Sequence, residues 1–253
     1  MKLLFILFCF ALICFPKTYA VDFEKPNQTL QDDDQTLVST GEETFELGFF
    51  SPRNSKNRYV GIWYKNVQDF TVVWVANREN PLTDLSGILT ITPTGNVVIL
   101  SNQSGIPIWS SNSSAKNPSL ELLDSGNLVV KDGNSGSYAW QSFDHPCDTQ
   151  IAGMKLGWDF VTGQNWYLTS WDSLQEPSIG NFTYKLDPRL PQVIQRRGKD
   201  ILYRSGPWDG VRFGGDPPLT ENPAFRPICW EKVGDLKHVK KYAFFKAIFA
   251  PSP

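Results

Sequence analysis

The sequence predicts an all-β protein with approximate threefold internal symmetry. Gly95-Asn96-Val97-Val98 and Gly126-Asn127-Leu128-Val129 repeat one pattern 31 residues apart. Trp109 and Trp140 each follow the asparagine of their copy by 13 residues, and Trp74 lies about one period upstream. Each period holds about four short β-type runs separated by turn residues, which leaves no room for the crossover helix of a βαβ unit. We therefore expect three similar units with one buried tryptophan each.

The strands of the first module follow from alternating or β-rich runs. Phe45, Leu47 and Phe49 alternate with polar or small residues, which places one face of a strand in the core. Gly and Asn between the runs tolerate positive φ and mark the turns. The predicted strands cover residues 45–49, 59–64, 71–76, 88–92, 97–100, 106–110, 120–123, 128–131 and 138–141.

The segment that precedes these strands, residues 21–40, is interpreted as an acidic and polar lead. Its Asp32-Asp33-Asp34 run is expected to form a solvated turn. A calcium loop is disfavoured, because the run lacks the Asp/Asn alternation, the Gly and the distal Glu of an EF-hand.

A second β module is predicted after a junction at residues 141–149, and it is too short to complete three units. Its strand-like runs cover residues 166–171, 180–186, 192–195 and 201–204. The final segment is basic around Lys240 and then rich in Ala and Phe, so it is either an amphipathic helix on a membrane surface or a poorly packed tail. We favour the tail. The predicted divisions are a signal peptide at 1–20, a first module at 21–145, a partial second module at 146–228 and a divergent tail at 229–253.

The N-terminus has the three parts of a secretory signal peptide. Lys2 supplies positive charge, the next residues through Phe15 are apolar, and Ala20 provides a small-residue cleavage site. The apolar run is shorter than the ~20 residues of a spanning helix, so a signal anchor is the less favoured alternative. We expect a secreted or cell-surface protein whose mature chain has no membrane span.

Four N-glycosylation sequons support the same compartment. Their asparagines are Asn27, Asn102, Asn112 and Asn181. Removal of Lys2 and Lys17 with the signal leaves 22 basic against 26 acidic residues, a net charge of −4. This balance argues against a nucleic-acid partner.

Several ordered motifs resemble those of one plant family. Trp74-Val75-Ala76-Asn77-Arg78-Glu79-Asn80-Pro81-Leu82 resembles the start signature of the bulb-type (monocot mannose-binding) lectin domain of S-domain receptor-like kinases. Residues 122–129 and 140–144 resemble its next two signatures. Residues 153–157 and 204–210 are similar to the adjoining S-locus glycoprotein region. The resemblance covers about residues 25–228.

The resemblance implies a β-prism II fold, with three four-stranded sheets around a pseudo-threefold axis and tryptophans at the centre. It also implies a plant cell-surface recognition protein, with roles in recognition of pollen, defence or symbiosis. Cys-rich peptides, other proteins, receptor-kinase partners, glycans and a second copy of the chain are the partners it suggests. Full-length members continue into EGF-like, PAN, transmembrane and kinase parts. We therefore expect a truncated, secreted ectodomain or an incomplete gene model, and no enzyme, because the chain holds no kinase motifs.

Bulb-type lectins hold mannose with Gln-x-Asp-x-Asn-x-Val-x-Tyr, and this chain keeps only part of that motif. The five positions read Thr92, Thr94, Asn96, Val98 and Leu100 in one copy and Leu123, Ser125, Asn127, Val129 and Lys131 in the other. Three of the four polar contacts are therefore lost in each copy, at ~1 kcal/mol or more per contact. Asn96, Val98, Asn127 and Val129 remain as carbohydrate-binding candidates, but we favour a structural role for the two asparagines as turn residues.

Other constellations suggest no chemistry. His145, Cys147 and Asp148 are too few for the tetrahedral array that Zn²⁺ requires, and no cofactor is expected. Cys147 is a candidate disulfide partner of Cys229, with a free thiol or an interchain bond as alternatives. Three functions are therefore weighed: a non-catalytic recognition ectodomain, which we favour, a soluble mannose lectin, and a non-functional receptor fragment with unpaired strand edges.

Overall fold

The computed structural model of the chain is built from antiparallel β-sheets. It describes residues 23, 25–67, 70–101, 105–133, 135–187, 189–209 and 213–215, together with the backbone of 225–231 and 241–247. The predicted signal peptide lies outside the described residues. The strands are β1 Thr29–Gln31, β2 Thr36–Val38, β3 Phe45–Phe50, β4 Tyr59–Tyr64, β5 Val72–Val75, β6 Gly87–Ile91, β7 Val97–Ser101, β8 Pro107–Ser110, β9 Pro118–Leu122, β10 Leu128–Asp132, β11 Tyr138–Gln141, β12 Lys155–Trp158, β13 Asn165–Trp166, β14 Leu168–Ser173, β15 Glu176–Leu186, β16 Val193–Arg197, β17 Asp200–Arg204, β18 Phe225–Glu231 and β19 Lys241–Ala247.

The first eleven strands form three sheets around a triangle of tryptophans. The strand orders are β2-β3-β4-β5, β1-β6-β7-β8 and β9-β10-β11. The last strand of each sheet contributes one ring, from Trp74, Trp109 and Trp140 respectively. The ring centroids lie 6.0–6.1 Å apart at interplanar angles of 67–79°. Edge-to-face packing of this kind is favourable for aromatic rings. The predicted all-β fold is confirmed, and the three tryptophans lie at its centre, although Trp109 is only partly buried.

The third sheet has three strands, although the resemblance implied four in each. The remaining edge position is taken by Phe23, which forms an isolated bridge with Leu120. The Leu120 backbone N–H donates to the Phe23 carbonyl at 3.0 Å. Phe23 is buried, so the chain joins the core soon after the predicted cleavage site.

The acidic lead forms a turn at Asp32-Asp33-Asp34, as predicted, with Asp33 and Asp34 exposed, but it also contains strands that the sequence did not indicate. It contributes β1 and β2, and Asp32 is buried at the turn between them. The Arg58 guanidinium forms an ion pair with the Asp32 carboxylate, to which Nε donates at 2.8 Å. A buried carboxylate is tolerated when it is paired in this way.

The second group of strands forms two further sheets, ordered β14-β15-β16-β17 and β13-β12-β19-β18. A small core joins them, formed by Leu156, Leu186, Val193 and Phe213. The larger first core continues past the predicted boundary at residue 145, through Cys147 and Met154. The position of the boundary therefore stays a prediction.

The final segment is a strand where it is described. β19 pairs in antiparallel fashion with both β12 and β18. The alternative of an amphipathic helix is thus wrong for residues 241–247. Among the described residues, no helix is long and apolar enough to cross a membrane.

Candidate functional site

Asn96, the first carbohydrate-binding candidate, is engaged inside the protein. Its Oδ1 accepts hydrogen bonds from Ser110 Oγ at 2.9 Å and Ser111 Oγ at 3.0 Å. Both serines lie at the end of the strand that carries Trp109, so the amide ties the turn before β7 to the end of β8. The turn itself requires glycine, because Gly95 has a φ of 84° and an added Cβ would lie 2.5 Å from the Ala115 nitrogen.

Asn127 plays the same role one repeat later. Its Oδ1 accepts hydrogen bonds from the Phe143 backbone N–H and from Ser142 Oγ, both at 3.2 Å. Its Nδ2 donates to Gln141 Oε1 at 2.9 Å. Asn127 is 5% exposed. The recurring asparagine therefore closes each repeat by linking its turn to the residues after the tryptophan strand.

Several other positions of the degenerate motif are buried or make contacts within the chain. Val98 and Val129 are buried, so their side chains belong to the core. Lys131 occupies the position of the motif tyrosine and forms an ion pair with Glu121 on the neighbouring strand. At the first motif position of the other copy, Thr92 Oγ1 accepts a hydrogen bond from the Asn96 backbone N–H at 3.0 Å.

The predicted glycosylation sites lie on the surface where they are described. Asn27, Asn112 and Asn181 are exposed, and Asn102 lies outside the described residues. A sequon asparagine must reach solvent to be modified. Glycosylation of these residues stays a prediction.

Cys147 is a free, buried thiol, so the expected disulfide with Cys229 is not present in this structure. The side chain of Cys229 lies outside the described residues. The Val75 backbone N–H donates to Cys147 Sγ at 3.3 Å. Burial raises the pKa of Cys147 to about 11, which keeps the thiol protonated and unreactive at neutral pH.

His145 caps the end of the tryptophan triangle. Its imidazole stacks on Trp140 with ring centroids 5.5 Å apart, and its carbonyl accepts a hydrogen bond from Trp74 Nε1 at 2.9 Å. Burial lowers the pKa of His145, which favours the neutral imidazole. Within the described part of the chain, no three His, Cys, Asp or Glu residues are grouped so that they could hold a metal ion.

Sequence reasoning missed the role of Arg78. This side chain is 8% exposed and reaches from the loop after β5 to the strands of the second group. Nε donates to the Pro177 carbonyl at 2.7 Å, Nη1 to Thr169 Oγ1 at 2.9 Å and Nη2 to the Ser170 carbonyl at 2.9 Å. A planar guanidinium suits such divergent acceptors. Arg78 therefore clamps the first three sheets to β14 and β15.

The residues beside Arg78 hold the same loop in place. Asn77 Oδ1 accepts from the Val60 backbone N–H at 2.8 Å, and its Nδ2 donates to the Asn80 carbonyl at 2.9 Å. Glu79 Oε1 accepts from the Ile179 backbone N–H at 2.7 Å. The sequence signal for this contact is a run of polar and charged residues directly after a buried strand.

Two concave surfaces border this contact. The axial pocket has a volume of about 470 Å³ and lies at the tryptophan triangle. Its lining includes Trp74, Trp109, Trp140, Arg78, His145 and Tyr167. The aromatic groove has a volume of about 970 Å³. It is lined by residues that include Phe50, Phe70, Trp171, Leu174, Asn181 and Phe182.

The chain is similar to known lectins in part of its length. Residues 71–172 match the family model described as D-mannose binding lectin. A monomeric mannose-binding lectin of Gastrodia elata, known from crystal structures, is 21% identical and aligns with 48% of this chain and 96% of its own, with a TM-score of 0.36.

Curated relatives are more similar in sequence. An S-locus-specific glycoprotein of Brassica oleracea is 44% identical over 222 residues, which are 84% of this chain and 50% of the glycoprotein. A receptor-like serine/threonine-protein kinase of Arabidopsis thaliana is 46% identical over 188 residues, 72% of this chain and 22% of the kinase. The chain thus spans about half the length of the first relative and about a fifth of the second. It carries a bulb-type lectin domain and belongs with the S-locus glycoproteins and the G-type lectin S-receptor-like kinases.

Proposed function

We propose that this chain is a secreted or cell-surface recognition ectodomain without catalytic activity, and that it binds a protein or peptide partner rather than mannose at the repeat motif. The observation that carries the proposal is the internal use of Asn96 and Asn127. Their side-chain oxygens accept hydrogen bonds from Ser110, Ser111, Ser142 and the Phe143 backbone.

The energetics disfavour a mannose site at these strands. Each copy has lost three of four polar contacts, and each contact contributes ~1 kcal/mol. Together the losses correspond to a decrease in affinity of about 10²-fold. To accept a hydrogen bond from a sugar hydroxyl, the side-chain oxygen of the remaining asparagine would have to give up hydrogen bonds to the chain, which weakens binding further.

The relatives support a role in recognition at the cell surface. One is named an S-locus-specific glycoprotein, and others are named receptor-like kinases. Recognition of pollen, defence or related signalling is the proposed context. The proposed partners are a Cys-rich peptide, another protein, a receptor kinase, a second copy of the chain, or a glycan bound away from the repeat motif. The signal-like residues 1–20 and the sequons support the extracellular location.

Secretion of the full chain from plant cells, followed by size-exclusion chromatography and a glycan array, tests the proposal. We expect a folded glycoprotein that binds no mannose-type glycan. Specific mannose binding by the secreted chain would refute our interpretation of the repeat motif and support a soluble lectin. Retention inside the cell or aggregation would instead support a receptor fragment without independent function.

A further inference from the structure

The aromatic groove is an exposed apolar surface. Phe70 is 58% exposed, Leu174 is 80% exposed and Phe182 is 39% exposed, and all three line the groove. Clusters of exposed apolar side chains in soluble proteins mark surfaces that another group covers. The groove volume of about 970 Å³ lies near the upper limit of the ~300–1,000 Å³ range of ligand sites, so it can hold several sugar rings.

A sequon lies within the lining of the same groove. Asn181, in Asn181-Phe182-Thr183, is exposed and belongs to the lining residues. The backbone at this point is held firmly, because the Asn181 carbonyl accepts from the Gly198 N–H at 2.8 Å and the Phe182 N–H donates to Ser170 Oγ at 3.3 Å. The first sugar of a glycan on Asn181 would therefore start at a fixed position beside the aromatic rings.

The chemistry of the groove suits a carbohydrate chain. Pyranose rings have apolar C–H faces, and the rings of Phe70, Trp171 and Phe182 offer apolar surfaces for them. Phe50 supports this arrangement from below, with its centroid 5.9 Å from Phe70 and 6.5 Å from Trp171. Arg53 and Asp172 also line the groove and provide a donor and an acceptor for sugar hydroxyls.

We propose that the N-glycan on Asn181 folds back into the aromatic groove and covers it. Attachment at the rim makes the contact intramolecular, and short flexible tethers give effective concentrations in the millimolar range. A stacking contact that would be too weak for a free sugar is then sufficient to occupy the groove. This proposal requires passage through the secretory pathway, but it does not depend on what the ectodomain recognises.

The test compares the secreted full chain with two sequon variants, all made in cells that attach high-mannose glycans. Asn181→Gln removes the glycan at the groove. Thr29→Ala removes the sequon of Asn27, an exposed site outside the groove lining, and is the matched control. Mass spectrometry of glycopeptides establishes occupancy. We expect hydrogen exchange at residues 70–75 and 170–174, and binding of an apolar dye, to increase several-fold in Asn181→Gln and to stay unchanged in Thr29→Ala.

A second measurement needs no sequon variant and covers the case in which Asn181→Gln is not secreted. Endoglycosidase H trims the native parent, and the rates at Asn181 and Asn27 are compared. A glycan that lies in the groove is trimmed several-fold more slowly than the control glycan, and Phe70→Ser with Leu174→Ser removes the difference. Absence of a glycan on Asn181 would refute the proposal, and so would equal trimming rates at Asn181 and Asn27 in the parent. Hydrogen exchange and dye binding at the groove that stay as low in Asn181→Gln as in the parent would refute it as well.

Discussion

Replacement of Arg78 is predicted to make the second group of strands unfold at a lower denaturant concentration than the first eleven strands. The guanidinium makes three hydrogen bonds of 2.7–2.9 Å to Pro177, Thr169 and Ser170 while 8% exposed. Arg78→Ala leaves these acceptors without a donor at a buried contact. Loss of one partner from a buried charged contact costs about 3–5 kcal/mol, and part of this is offset because the charge itself no longer has to be desolvated. We expect a net loss of about 3 kcal/mol.

The assay is denaturant unfolding of the secreted chain, followed by tryptophan fluorescence and far-UV circular dichroism. We expect the Arg78→Ala transition to split, with β14–β17 unfolding at a lower denaturant concentration than the sheets around the tryptophan triangle. Arg78→Lys keeps the positive charge but lacks the planar, branched set of N–H donors of a guanidinium. We expect it to recover less than half of the free energy of unfolding that is lost in Arg78→Ala.

Arg196→Ala is the matched control. Arg196 makes one exposed hydrogen bond, to the Lys199 carbonyl at 3.2 Å, and its removal should change stability by less than about 0.5 kcal/mol. If Arg78→Ala unfolds in one transition with a loss below about 1 kcal/mol, the interpretation of Arg78 as the clamp is incorrect.

Three further predictions concern the first group of sheets. Asn127→Ala should lower the free energy of unfolding by about 2–3 kcal/mol, measured by urea denaturation, because the Phe143 N–H and Gln141 lose buried partners. Gly126→Ala should destabilise by about 1–2 kcal/mol, whereas Gly→Ala at an ordinary φ stabilises, since the φ of Gly126 is 81° and an added Cβ would lie 2.7 Å from Ile151 Cδ1; a melting temperature equal to that of the parent would contradict this. Cys147 should resist iodoacetamide at pH 8 until the chain is unfolded. Because the pKa of Cys147 is raised in the folded state, the protonated thiol contributes to the free energy of unfolding at pH values below its ordinary pKa of 9.0. Thermal melts should show that this contribution is lost as the pH rises towards about 11.

The strands around the tryptophan triangle were predictable because local pattern and tertiary burial agree there. The predicted strands at residues 59–64 and 138–141 match β4 and β11 in both bounds, and that at 45–49 differs from β3 by one residue. Alternation identifies the buried face of a strand, and the repeated asparagine and tryptophan identify the period. The triangle of rings then follows from the symmetry.

The missed strands lack such a pattern. β1 and β2 have three residues each and flank an acidic run, so local composition predicted a solvated turn. What the composition did not indicate is the pairing of β1 with β6 and of β2 with β3. β12 contains Gly157 and has no alternation, and it owes its strand conformation to pairing with β13 and β19. Partners this distant leave no trace in a short window of sequence.

Arg78 illustrates the same limit at the candidate site. Its three acceptors lie 91–99 residues further along the chain, so no spacing rule could connect them. What the local sequence does contain is a cluster of polar residues after a buried strand, which is ordinary for a turn. The resemblance marked this loop as a signature without assigning its role. The contacts show that the signature joins the two strand groups.

The repeat asparagines have a structural role that does not depend on a sugar ligand. In each copy the amide oxygen accepts hydrogen bonds from residues at the end of the tryptophan strand or just after it, so its removal would break these links. The requirement that each repeat folds is therefore sufficient to explain the Gly-Asn pair without a sugar ligand. We expect that placing the Gln, Asp and Tyr of the mannose motif at these positions would not by itself create mannose binding. The sugar would still compete with Ser110 and Ser111 for the Asn96 oxygen, and with Ser142 and Phe143 for that of Asn127.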